Sequence, residues 1–265
     1  LDERSASARL KYRLAIFDFD GTLADSFPFF QSVYNALADQ HGLRRIEGDQ
    51  VAHLRGMSTR EIMRHIGMPA WKMPMVSKSF IAKMSENAAS IALFDGVAGA
   101  LRALAGAGVM LAVVSSNSEH NVRRVLGPEL SALFAHFECG MSVFGKASRI
   151  RKVVRQSRVG AADALYVGDQ GTDAEASAKA GVAFGAVAWG YAPAEALRAH
   201  GPAEEFDSVA AMLAILSGAG YILSTPGSDA VRAQQNAGRA GATGAAGSGS
   251  ALADTSDAQG GRSDS

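Results

Sequence analysis

The chain has 265 residues, 48% of them apolar, enough for one large domain or a core domain with a smaller insert. Its 26 basic and 26 acidic residues leave a formal net charge of zero, which gives no electrostatic footprint for nucleic acid or an anionic membrane. A single cysteine, Cys139, excludes an internal disulfide and a cysteine-rich zinc site.

In chain order, residues 1–11 read as a loose leader. The opening LDERSASARLKYR is polar and lacks the apolar stretch of a signal peptide. No run of about 18 apolar residues follows anywhere, so no membrane span is predicted. With one unpaired cysteine, the expectation is a cytoplasmic protein. The first strand is predicted at Arg13–Phe17, and it ends abruptly in Asp18-Phe19-Asp20-Gly21-Thr22. From Phe27 to about Leu93 no strand is predicted. Helical patterns fall at Phe29–Gln40, Thr59–Ile66 and Pro69 to about Ala89, with Asp25 or Ser26 as the N-cap and Pro28 in the first turn. Residues 27–93 therefore read as a helical cap domain set over the end of the first strand.

After the insert, strands and helices alternate. Strands are predicted at Met110–Val114, Phe137–Cys139, Ala164–Val167 and Ala183–Ala188. Helices are predicted at Val97–Ala105, Glu119–Leu126, Ala147–Ser157 and Asp173–Ala180. Alternation of this kind implies an α/β fold, a Rossmann-like parallel sheet with helices on both faces. The core domain is then residues 12–26 and 94–217. Residues 225–265 are mostly Gly, Ala, Ser and Asp with no aromatic residue and almost no large aliphatics, which predicts a disordered tail.

In an open parallel sheet, ligands bind at the carboxyl ends of the strands. The residues that follow the strands are Asp18 and Asp20, then Ser115, Ser116 and Asn117, then Lys146, then Asp169 with Asp173 four residues on. Two carboxylates 4 Å apart repel by roughly 4 kcal/mol at an effective dielectric near 20. A hard divalent cation offsets that, and oxygen ligands with one or two carboxylates suit Mg²⁺. The lysine and the hydroxyl suit a phosphoryl group instead. An aspartate beside both can act as a nucleophile.

The four segments DFDGT at Asp18–Thr22, VVSS at Val113–Ser116, Lys146 in FGKA and VGDQGTD at Val167–Asp173 resemble the motifs of the haloacid dehalogenase superfamily. They stand in that family's order, and the resemblance covers roughly residues 12–217. The helical insert and WGY at Trp189–Tyr191 resemble its phosphoglycolate-phosphatase-like branch. The resemblance implies a Mg²⁺-dependent phosphatase acting on a small phosphorylated metabolite, as a monomer or homodimer. By motif, Asp18 would attack phosphorus and become phosphoaspartate, and Asp20 would be the general acid and base. Asp18, Asp169 and the backbone carbonyl of Asp20 would hold Mg²⁺. Ser115, the Ser116 N–H and Lys146 would hold the phosphoryl oxygens. Asp173 would orient Lys146 or a metal-bound water, Gly21 would permit the turn, and Thr22 would stand behind the acids. Arg55, in the cap, is a candidate for a substrate's anionic tail.

Several alternatives share these residues. A phosphomutase of the branch would carry a His about twelve residues after the nucleophile, where this chain has Phe30. A dehalogenase lacks the second acid, which is present here as Asp20. A phosphonate hydrolase needs a cap lysine, for which Lys72, Lys78 and Lys83 are available, and also departs at the second acid. A non-catalytic binding or regulatory protein on the same scaffold would not need the full set. Asp169, Asp173 and Ser115 also fit plain helix caps. The remaining standouts, His53, His65, Cys139 and the Phe27–Phe30 run, read as packing or surface residues.

Overall fold

Every residue of strand β1, Leu14–Phe17, is buried, as a central strand covered on both faces requires. Side chains alternate across a strand, so Leu14 and Ile16 join one apolar cluster while Ala15 and Phe17 join another. The computed structural model describes residues 10–48, 50, 54, 59–87, 90–140 and 145–216. Leader residues 1–9, the predicted tail, His53 and Arg55 lie outside these.

Two short strands follow β1 in its neighbourhood, β2 at Ala24–Asp25 and β3 at Ala92–Leu93. The remaining strands are β4 Met110–Ser115, β5 Phe134–Cys139, β6 Ala164–Gly168, β7 Ala183–Val187 and β8 Glu204–Phe206. These five and β1 form one parallel sheet in the order β5-β4-β1-β6-β7-β8. The chain builds outward through β4 and β5, then returns across β1 to β6. The strand order thus reverses between β1 and β6, where open α/β sheets leave a crevice for ligands. One face carries helices Val97–Gly106 and Glu119–Ser131 with the 3₁₀ turn Val209–Leu216; the other carries Gly145–Ser157 and Gly171–Ala180.

The expectation of no strand up to Leu93 is corrected. Ala92–Leu93 pairs antiparallel with Ala24–Asp25, so the segments entering and leaving the helical insertion are tied together. The insertion contains helices Phe27–His41, Thr59–His65 and Met73–Glu86. It buries its own cluster of Tyr34, Ala38 and Ile66 beneath Phe30, Ile46 and Met68. The helix expected from Pro69 divides instead into a 3₁₀ turn, Ala70–Lys72, and the helix from Met73. Pro74 lacks the N–H that an interior helical position would use, which suits it to a fresh helix start.

Ser26 precedes the first helix, but its side chain makes no cap. Its hydroxyl is engaged by the Tyr191 hydroxyl at 2.6 Å. Strand β8 had no counterpart in the sequence reading; it is a three-residue edge with two glutamates. Glu204 there accepts from the Tyr12 hydroxyl at 2.8 Å and pairs with Lys11 at 2.6 Å. The predicted helix end at Leu126 falls where the backbone breaks, at Gly127, before Pro128 restarts the helix. Cys139 is half-buried at the end of β5, and burial pushes its thiol up to about 12. Among the described residues no helix is long and apolar enough to cross a membrane.

Candidate active site

Asp18 continues the β1 register by one residue, its N–H donating to the Val167 carbonyl at 2.9 Å. The chain then turns sharply: the Leu23 and Ala24 N–H groups both donate to the Phe19 carbonyl at 2.9 Å. Gly21 sits in this turn at φ +79°, and a Cβ there would lie 2.3 Å from Asp169 Oδ2. Both the backbone angle and the space require glycine. The turn keeps Asp20 close enough to Asp18 for the two carboxyl groups to repel.

Asp169 follows β6, the strand next to β1, and is fully buried. It accepts from the Tyr191 N–H at 2.8 Å and from the Thr22 hydroxyl at 3.3 Å. Gly190 closes over it: a Cβ at that residue would lie 2.1 Å from Asp169 Cβ and 2.7 Å from the Gly21 carbonyl. Gly190→Ala is expected to cost about 1–3 kcal/mol through overpacking. It should appear as a lower urea midpoint with an unchanged slope; a midpoint equal to the parent's would mean the loop yields freely.

Asp173, also fully buried, serves two neighbours. It forms a capping box with Gln170, accepting from the Gln170 N–H at 3.0 Å and the Asp169 N–H at 3.2 Å. Its other oxygen accepts from Lys146 and from the Tyr166 hydroxyl. The capping role and the ion pair therefore hold together, and the cap fixes the carboxylate that faces the lysine. Lys146 comes from the start of helix Gly145–Ser157 and also bonds Asp18 Oδ2 at 2.9 Å. The same carboxylate accepts from the Phe19 N–H at 2.8 Å.

Ser115 ends β4 and is buried; its hydroxyl accepts from the Asn117 N–H at 3.1 Å. The cap of the following helix is Ser118, which accepts from the Asn121 N–H. Ser115 is thus left for another task. Arg149, one turn beyond Lys146, donates to the Ser115 carbonyl at 2.9 Å. Ser116 is exposed.

The electrostatics follow from this packing. Burial is the main force on Asp18, and it pushes the carboxyl up to about 7 despite Lys146. Asp169 is likewise held well above the carboxylate range by burial, with Asp173 and Asp18 adding repulsion. Burial raises Asp20 too, against the Ser26 hydroxyl and the Asn117 amide. Burial would lower Lys146, but Asp173 and Asp18 outweigh it and hold the ammonium well above its usual value.

Oxygens of Asp18, Asp169 and Asp173 lie within 4.8 Å of one another. Among the described residues, Asp18, Asp169 and Asp173 stand here against the Lys146 ammonium, burial opposes ionisation of Asp18 and Asp169, and every clustered carboxylate donor is oxygen. That donor set fits a hard divalent cation. Each carboxylate is already engaged: Asp18 by Lys146 and the Phe19 N–H, Asp169 by the Tyr191 N–H and the Thr22 hydroxyl, and Asp173 by Lys146, the Tyr166 hydroxyl and two backbone N–H groups.

The structure thus brings Asp18, Asp20, Gly21, Thr22, Ser115, Lys146, Asp169 and Asp173 to one end of the sheet. Arg55 lies outside the described residues. The sequence reading gave no role to Asn117, Tyr166 or Tyr191, although Asn117 and WGY stood out beside the motifs.

The model for haloacid dehalogenase-like hydrolases matches residues 15–187. The chain belongs to this family. A phosphoglycolate phosphatase of Synechococcus elongatus is 32% identical to this hydrolase over 188 residues, covering 71% of the chain and 89% of the relative. The tyrosine-protein kinase PtkA of Mycobacterium tuberculosis is 30% identical over 198 residues, 72% of the chain and 67% of that protein. Among solved structures, a haloacid dehalogenase-like hydrolase of Streptococcus pneumoniae superposes with TM-score 0.66 at 15% identity, over 78% of this chain and 99% of its own. A superfamily hydrolase from Geobacter sulfurreducens gives TM-score 0.56 at 23% identity, over 78% and 98%. Within this family the chain is similar in sequence to proteins named phosphoglycolate phosphatase, that of Xanthomonas campestris being 30% identical over 68% of the chain and 84% of the relative.

Proposed function

We propose that the protein is a Mg²⁺-dependent phosphatase that hydrolyses a small phosphomonoester through a phosphoaspartate on Asp18. One observation carries the reading: Lys146 bridges Asp18 and Asp173 while Asp169 stands beside them, all at the β1/β6 crevice. Asp18 and Asp169 would hold the cation, joined by the Asp20 carbonyl. When bound, Mg²⁺ supplies charge neutralisation and orientation of a phosphoryl oxygen.

The remaining steps belong to the chain. Lys146 and the Ser115 hydroxyl bind the non-bridging oxygens, with the Ser116 N–H. An Asp18 oxygen forms a bond to phosphorus as the ester P–O bond breaks. Asp20 gives its proton to the departing alkoxide. A water then adds to phosphorus, Asp20 takes its proton, and the Asp18 O–P bond breaks to release phosphate. Covalent capture splits one difficult displacement into two.

Phe30, where a mutase would hold a histidine, sits among Phe27, Tyr34 and Phe80 with ring centroids 5.4–6.3 Å away. That apolar seat favours hydrolysis over transfer between two sites of a sugar. The Lys72 ammonium, one of the phosphonate-hydrolase candidates, donates to the His41 carbonyl and lies over the Trp71 ring. The Synechococcus relative makes phosphoglycolate the first substrate to try.

The test is phosphate release from a panel headed by phosphoglycolate, with Mg²⁺ and with EDTA. Release is expected with Mg²⁺ and should stop in EDTA. Mg²⁺ at a hundredfold over its Kd should also stabilise the fold by about 2.7 kcal/mol, raising the melting temperature by about 5–10 °C. Undiminished turnover in EDTA, together with an unmoved melting temperature, would end the metal-dependent reading.

A further inference from the structure

Asp20 needs one oxygen free for the departing group and the other held still. Its Oδ1 is buried and meets no hydrogen-bond partner among the described residues, with the Ser26 hydroxyl near the carboxyl group. Its Oδ2 accepts from the Asn117 side-chain amide at 3.0 Å. Asn117 is 2% exposed, and its own orientation is fixed from the other end. Its carbonyl oxygen accepts from the Ser118 N–H at 2.8 Å and from the Asn121 amide at 3.1 Å. Backbone N–H groups can only donate, so the amide nitrogen of Asn117 must be the atom that faces Asp20.

The same amide nitrogen reaches Met84 Sδ at 2.8 Å, in the insertion helix Met73–Glu86. Asn121 donates to the Ile81 carbonyl of that helix at 3.1 Å, and Arg124 donates to its Ser85 carbonyl. Met84 and Asn121 are both fully buried. A continuous set of contacts therefore runs from the insertion helix, through Asn117, to the carboxyl group of Asp20.

We propose that Asn117 is a positioning residue for the proton-transfer step: with Met84 and Asn121 it pins Asp20 Oδ2 and leaves Oδ1 facing the departing oxygen. The seat of the insertion helix is then part of what holds the acid in place. This inference rests on the phosphatase reading above.

A purely structural latch makes a different prediction, and leaving groups separate the two. Phenyl phosphate and p-nitrophenyl phosphate are close in shape, but the phenolate needs the proton more. In Asn117→Ala, kcat/KM is expected to fall about tenfold more for phenyl phosphate than for p-nitrophenyl phosphate, a fraction of the 10²–10⁴ that a general acid supplies. The first, ester-specific step sets kcat/KM, so the difference is read there and in single-turnover release of the phenol, whereas kcat also contains the phosphoaspartate breakdown that both esters share. Asn121→Ala, which keeps Asn117 but frees its carbonyl, should show the same bias in smaller measure, and it decides the matter if Asn117→Ala does not fold. Equal losses on both esters in the folded variant, or no loss, would overturn the proposal. A parent enzyme that hydrolyses neither ester nor any other phosphomonoester would instead overturn the phosphatase reading.

Discussion

Asp18→Asn should abolish turnover while leaving the protein folded. The substitution keeps shape and volume but removes the anionic oxygen that attacks phosphorus. Losses of a covalent nucleophile run to about 10⁴–10⁶ in kcat, so release of p-nitrophenolate should fall to the background. Stability should move the other way in metal-free protein. Burial raises the Asp18 carboxyl from 3.8 to about 7, so the folded state binds its proton more tightly than the unfolded chain does. Stability contributed by that group is present at low pH and is lost as pH rises through that window. At pH 8 in EDTA the parent therefore carries an unfavourable buried charge that asparagine does not. The variant is expected to melt no lower than the parent there, and to gain less from Mg²⁺. Parent-like turnover by a folded Asp18→Asn protein would remove Asp18 from the chemistry.

Much of this site is legible from local sequence, and the reason is topological. A parallel sheet gathers the residues after its strands at one edge, so finding each strand's end locates each functional group. Asp18, Ser115 and Asp169 each end or directly follow an apolar run, and they need no long-range information. Lys146 and Asp173 required the family resemblance to acquire their partners, because 27 residues separate them. The strand β8 was invisible for a physical reason: at an edge, Glu204 and Glu205 meet no demand for alternation, and only Phe206 is buried. The pairing of Ala24–Asp25 with Ala92–Leu93 spans the whole insertion and lasts two residues, too short to leave a pattern. Asn117 was visible as a residue type but not as a role. An asparagine after two serines and before a helix reads as a turn. Its meaning lies in Asp20 and Met84, 97 and 33 residues away.

Asp20→Asn should separate the two halves of the reaction. An amide cannot donate a proton to the leaving oxygen, nor accept one from water. Loss of a general acid or base costs about 10²–10⁴ in rate, but the cost falls unequally on the two steps. With p-nitrophenyl phosphate the departing group is already stable as an anion, so capture by Asp18 should proceed with modest slowing. Breakdown of the phosphoaspartate still needs a proton taken from water, whatever ester supplied the phosphoryl group. The variant is therefore expected to release a burst of p-nitrophenolate equal to its own concentration and then nearly stop. Intact-mass measurement at that point should find a phosphoryl adduct, absent in Asp18→Asn. With phenyl phosphate the first step is slow as well, and the burst should disappear. This pattern assigns one residue to both proton transfers, because the oxygen that protonates the departing alkoxide is left unprotonated at the moment water must be activated. A slow turnover with no burst on the nitrophenyl ester would mean that Asp20 acts only before the covalent intermediate forms.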